Sequence, residues 1–100
     1  MALWNNVFRS GNANEAKAKE VWDRAMKYFD GKLYNRALQD LEEAVQLNPA
    51  LRQEAFELMQ VLSGQGDDDT AVSVGIALLK LDPQNHELMS RLGNVLRRMN

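Results

Sequence analysis

The sequence has no cysteine, two prolines, a single histidine and only 7% aromatic residues, and each scarcity narrows what it can be. Without cysteine there is no disulfide framework and no thiolate for a metal, which accords with a reducing compartment; a cytoplasmic location is the expectation. His86 has no other histidine and no cysteine to share an ion, so no metal site is expected. Long apolar runs are missing too. The longest, Val74 to Leu79, is far short of the roughly 20 residues that span a bilayer. Residues 1–12 lack the basic start and apolar run of a secretory signal. Neither sign of charge dominates: the formal net charge is −2 with 26% charged residues, so no basic face for nucleic acid is expected. Glycine-rich phosphate loops and nucleophile–histidine pairings are absent, which leaves no cofactor and no enzyme chemistry to expect. Asp67-Asp68-Asp69 lacks the alternate spacing and closing glutamate of a calcium loop and reads as an acidic helix start.

What the sequence does contain is a period. Pro49 and Pro83 stand 34 residues apart in matching settings, Leu47-Asn48-Pro49 and Leu81-Asp82-Pro83. A period of that length marks a repeated helix-turn-helix unit. Proline lacks a backbone donor and turns the preceding residue away from helical geometry, so Asn48 and Asp82 each close a helix. Apolar residues recur at helical spacing in five segments. The first starts near Asn12 or Asn14, with Glu15 in a capping-box-like place, carries Ala18, Val21, Trp22, Ala25, Met26 and Phe29, and ends at Gly31. The second runs from Leu33 to Leu47, and the third from Leu51 to the Ser63-Gly64-Gln65-Gly66 break. The fourth starts beyond Asp69 and ends at Leu81; the fifth follows Asn85, a good N-cap, with Leu88, Leu92, Val95, Leu96 and Met99 on one stripe. No segment alternates like a strand. The fold class is all-α, with one domain over residues 13–100 behind a leader of residues 1–12.

Setting each proline at unit position 32 aligns Ala25, Tyr28, Tyr34, Ala37, Leu41 and Ala44 in one unit with Leu58, Leu62, Gly66 and Ala71 in the next. Leu92, Gly93, Asn94 and Leu96 continue the pattern in the last helix. In these residues the chain resembles the tetratricopeptide-repeat family, over roughly residues 16–100. The resemblance implies antiparallel helix-turn-helix repeats forming a short right-handed superhelix, an α-solenoid. Its units would be about 18–51 and 52–85, with a terminal helix at about 86–99. Three residues depart from the family pattern. Gly31 lies one residue before the family glycine, which suggests a first helix one residue shorter. Gly75 stands where a bulky residue normally packs; it reads first as a tolerated interruption costing about 1 kcal/mol relative to alanine, and second as a point of close approach by a neighbouring helix. Leu78 replaces a small residue, so the second unit is expected to pack irregularly.

The resemblance further implies recognition of a peptide or protein on the concave surface. Carried over position by position, it nominates Trp22, Met26 and Phe29 in the first unit, Phe56 and Gln60 in the second, and Arg91, Asn94 and Arg97 in the last helix. That is a groove with an apolar end for burial and a basic end for carboxylates. Trp22, Met26 and Phe29 also lie on the inner stripe of their helix, so internal packing is the equal alternative. For Arg97, as for Arg98, favourable placement at the C-terminal helix dipole is the first reading and the groove the second. Some family members clamp an acidic C-terminus with five polar residues; only Arg91 survives here, and Glu57 and Glu87 stand at two of the other places, so that role is not expected.

In the leader, Leu3, Trp4, Val7 and Phe8 make one apolar face barely two turns long, too short to be a stable helix alone. It must cap its own first unit, enter the groove of a second copy, or meet a membrane surface. Arg9 is its only nearby cation, so anionic lipid would gain little and membrane contact is not expected. The expected function is a cytoplasmic interaction module, an adaptor or scaffold holding a peptide or helix of a partner protein. The alternative is a self-assembling homo-oligomer built through the leader.

Overall fold

Five helices account for nearly the whole chain. The computed structural model describes residues 2–99, with side chains described from Asn14 onward. The helices are α1 (Ala2–Asp30), α2 (Tyr34–Leu47), α3 (Leu51–Gly64), α4 (Asp68–Leu81) and α5 (His86–Met99), and no strand occurs among the described residues. The all-α expectation holds. α1 begins at Ala2 and not near Asn12. No proline precedes Pro49 to stop it, and Gly11 inside a helix costs only about 1 kcal/mol, so Gly11-Asn12 is helical. The leader residues Leu3, Trp4, Val7 and Phe8 lie outside the described side chains. By its internal contacts the chain divides into two units, Met1–Pro49 and Ala50–Asn100. In the first, α1 and α2 form a helical hairpin; in the second, α4 packs against both α3 and α5.

The 34-residue period of the prolines is written into the backbone. α1 and α3 end 34 residues apart, at Asp30 and Gly64, and α2 and α4 end at Leu47 and Leu81. The turns between helices match bond for bond. The Leu33 amide donates to the Tyr28 carbonyl at 2.8 Å, and the Asp67 amide to the Leu62 carbonyl at 2.9 Å. The Lys32 amide reaches Phe29 and the Gly66 amide reaches Ser63, both at 3.0 Å. Because the two helices end in register, α1 is not shortened by the early Gly31. The left-handed position of the turn falls on Gly66 (φ 87°) in the second unit and on Lys32 (φ 61°) in the first. A lysine there crowds its own carbonyl, which glycine does not. Lys32→Gly is therefore expected to stabilise the chain by about 1 kcal/mol in urea unfolding; an unchanged or lower midpoint would show that Lys32 is not strained.

The residue after each left-handed position opens the next helix with the same geometry, φ −91° and ψ 68° at Leu33 against φ −92° and ψ 66° at Asp67. Only one of them is a cap. The Asp67 carboxylate accepts from the Thr70 amide at 3.3 Å, so α4 starts at Asp68, earlier than its acidic run suggested. The Leu33 side chain has no acceptor and is half exposed. Leu33→Asp should supply the missing acceptor and raise stability by about 1 kcal/mol; a thermal midpoint that does not rise would refute the equivalence of the two turns.

On matching backbones the two hairpins carry different side-chain chemistry. Across the first turn the rings of Phe29 and Tyr34 sit 6.4 Å apart; at the equivalent places of the second, Ser63 Oγ donates to Asp68 Oδ1 at 3.0 Å. α1 and α2 are joined by a two-pronged ion pair, Arg24 Nε to Asp40 Oδ2 at 2.8 Å and Nη2 to Oδ1 at 3.1 Å. The hydrogen bond to Asp40, with its charge, raises the Arg24 guanidinium above its ordinary value. One period on, the same two places hold Leu58 and Val74.

The core shows the same exchange in size. In the first unit Ala25 and Leu41 are fully buried; their counterparts 34 residues on are Met59 and Gly75, also buried. A Cβ added at Gly75 would lie 3.0 Å from Met59 Sδ and 2.8 Å from Leu92 Cδ1. Gly75 is thus the point where α3 and α5 both close on α4, and not a tolerated interruption. Leu78 is buried as well, at 3% exposure. At Met59 and Gly75 a large residue on one helix faces a small one on the next.

Candidate functional site

The second unit holds an open cleft of about 610 Å³ between α3 and α5. Both helices rest on α4, and they pack on it more than on each other. From α3 come Met59, Gln60, Ser63 and Gly64, which share one face at a spacing of four residues. From α5 come Arg91, Asn94, Val95, Arg97 and Arg98. Met59 and Val95 are almost fully buried and form an apolar floor. Gly64, with no side chain, and the short Ser63 leave the cleft wide at the end of α3.

Its rim is cationic. Arg98 Nη2 donates to Ser63 Oγ and to Asp68 Oδ1, the latter at 3.0 Å, tying the end of α5 to the α3–α4 turn. Arg97 Nη2 donates to Asn94 Oδ1 at 2.8 Å, a neutral partner, and has no ion pair among the described residues. Arg91 has no ion pair among the described residues. Among the described residues no carboxylate lines the cleft. The arrangement can therefore accept an anionic group at Arg91 and Arg97 while burying apolar atoms against Met59 and Val95.

Of the residues nominated from sequence, the structure brings Gln60, Arg91, Asn94 and Arg97 together around this cleft. Phe56 lies one turn earlier on α3, is half-buried, and is not part of the lining. Glu57, whose charge would repel an acidic ligand, is also outside it and accepts from Gln53 Nε2 at 3.4 Å. Trp22, Met26 and Phe29 are half-buried on α1 in the first unit. Phe29 serves the turn, through its ring contact with Tyr34; beside it, Arg36 stands 6.0 Å above the ring of Tyr28. The sequence positions missed the floor. Met59 and Val95 sit on the inner stripes of their helices, and only the packing of α3 and α5 on α4 exposes their edges to the cleft.

Among the described residues no group of three or more potential ligands could hold a metal, and no helix is long and apolar enough to cross a membrane. No protein-family model and no curated relative matches the sequence. The fold and the site define a class: an all-α, helical-repeat-like protein whose second unit carries a basic, apolar-floored cleft.

Proposed function

We propose that the chain is an interaction module of the tetratricopeptide kind, an adaptor that holds an acidic segment of a partner protein in the cleft between α3 and α5. The observation that carries this reading is the pairing of two arginines, Arg91 and Arg97, that have no acidic partner among the described residues, over an apolar floor. A segment that alternates carboxylates with leucine-sized side chains satisfies both: its acids meet the guanidinium groups, and its apolar side chains cover Met59 and Val95. Gln60 and Asn94 add amide groups for the backbone of an extended peptide. The proposed setting is the cytoplasm, in keeping with the absence of cysteine. Such a surface is small, so an affinity in the micromolar range is expected, roughly −8 kcal/mol.

The test is fluorescence anisotropy of two labelled peptides of equal length, one built of glutamate and leucine and the other of lysine and leucine. Binding of the acidic peptide alone, weakening as salt rises, is the expected result. Equal binding of both peptides, or of neither, would remove the basis for the assignment.

A further inference from the structure

The period also tells which face of each helix the next one covers. On α1 the residues Val21 and Ala25 are fully buried, and on α3 their counterparts Ala55 and Met59 are buried too. One period further on, the same two places of α5 are Met89 and Gly93, and the next apolar place on that face is Leu96. Here the burial fails. Met89 is 41% exposed and Leu96 is 44% exposed, and a Cβ built at Gly93 would meet nothing within 4 Å. α5 binds α4 through a different face, on which Leu92 reaches Gly75. The helix thus presents, uncovered, the side by which α1 seats α2 and α3 seats α4.

We propose that this side of α5 pairs with the same side of a second copy of the chain. This side of α5 is self-complementary. In the second unit a bulky residue faces a glycine, Met59 against Gly75, so a covering helix for the notch at Gly93 must bring a large apolar residue. α5 itself has one on that face, Leu96, three residues away. When two copies of α5 cross antiparallel about a two-fold axis, Leu96 of each enters the notch at Gly93 of the other, and Met89 flanks the pair. An isologous interface satisfies the notch twice with one sequence. Arg91, Asn94, Val95 and Arg98 lie on another side of the helix, so pairing leaves most of the cleft lining free. A single face of a 14-residue helix is smaller than a standard stable interface, so a weak dimer is expected, with a dissociation constant on the order of 100 μM.

The experiment is sedimentation equilibrium of the full chain from about 10 μM to about 1 mM, which brackets that weak affinity. Four variants run beside it: Leu96→Glu, Gly93→Leu, Gly93→Ala and Trp4→Glu. The wild type is expected to move from monomer to dimer mass across the series. Leu96→Glu and Gly93→Leu should stay monomeric at every concentration with helical content retained, since both positions are open to solvent in the monomer. Gly93→Ala, which only narrows the notch, should fold at least as well as wild type and dimerise less. Trp4→Glu should dimerise like wild type, which separates this interface from association through the leader. A wild type that stays monomeric throughout, a dimer that survives both Leu96→Glu and Gly93→Leu, or a dimer lost only in Trp4→Glu would each overturn the proposal.

Discussion

Replacing Gly75 by leucine is expected to lower stability by about 2–3 kcal/mol, the range for forcing extra carbon into a filled core. The added side chain has nowhere to go: its first atom already falls 2.8 Å from Leu92 Cδ1 and 3.0 Å from Met59 Sδ. α4 would have to move away from α3 or from α5, and both contacts help to bury the second unit. For a chain of this size the loss corresponds to a fall of roughly 10–15 °C in Tm. Gly75→Ala should behave differently. Its single methyl group meets the ends of two flexible side chains, which can give way, and alanine recovers about 1 kcal/mol of helix propensity. A small net change is expected there.

The first unit suggests how to rescue the leucine. Its counterparts of Met59 and Gly75 are Ala25 and Leu41, the same two volumes exchanged between the helices. Met59→Ala alone should cost about 2–4 kcal/mol, as a buried side chain is cut back and a cavity remains. Combined with Gly75→Leu, the losses should fall short of additive by about 1–2 kcal/mol, because the leucine fills the space that the methionine vacates. Full additivity would mean that the two positions do not share one volume. Leu92 keeps the rescue partial, since it touches Gly75 from α5.

The second large effect concerns the cleft. Arg91→Glu with Arg97→Glu is expected to weaken the acidic peptide by at least tenfold, about 1.4 kcal/mol. Both arginines are exposed, so each contributes through a hydrogen bond to a charged group more than through long-range attraction. The double variant replaces two attractive charges by two repulsive ones on the same wall, and the sign of preference between acidic and basic peptides should reverse. Folding should be preserved, because among the described residues neither arginine takes part in an ion pair with another helix; Arg97 bonds Asn94, within α5. Arg98 is the contrasting case. It clamps α5 to Ser63 and Asp68, so Arg98→Glu should disturb the cleft by loosening its end.

Much of the architecture is legible in the sequence because its signals are local. Two prolines, the apolar stripes and the Asn85 cap specify four helix ends to within about a residue, and the structure returns the same period in its turns. What local signals do not show is compensation between helices. Gly75 looks like a defect when α4 is read alone, and becomes a contact point only when Met59 and Leu92 are placed against it. Gly31 looks like a displaced turn glycine, yet the turn keeps its register by holding Lys32 left-handed. The same limit applies to the site. Gln60, Arg91, Asn94 and Arg97 are accessible from the register of the repeat, whereas the floor of Met59 and Val95 depends on how α3 and α5 pack on α4. The start of α1 is not legible for a further reason: a glycine and an asparagine lower helix propensity without stopping a helix, and no proline stands there to do so.

The most direct test of the account is a backbone-amide NMR titration of the full chain with the glutamate–leucine peptide, with Arg91→Glu/Arg97→Glu titrated in parallel. Shifts are expected to concentrate at residues 59–64 of α3 and 91–98 of α5, to saturate in the micromolar range and to be lost in the double variant. Shifts centred elsewhere, or unchanged in the double variant, would contradict it.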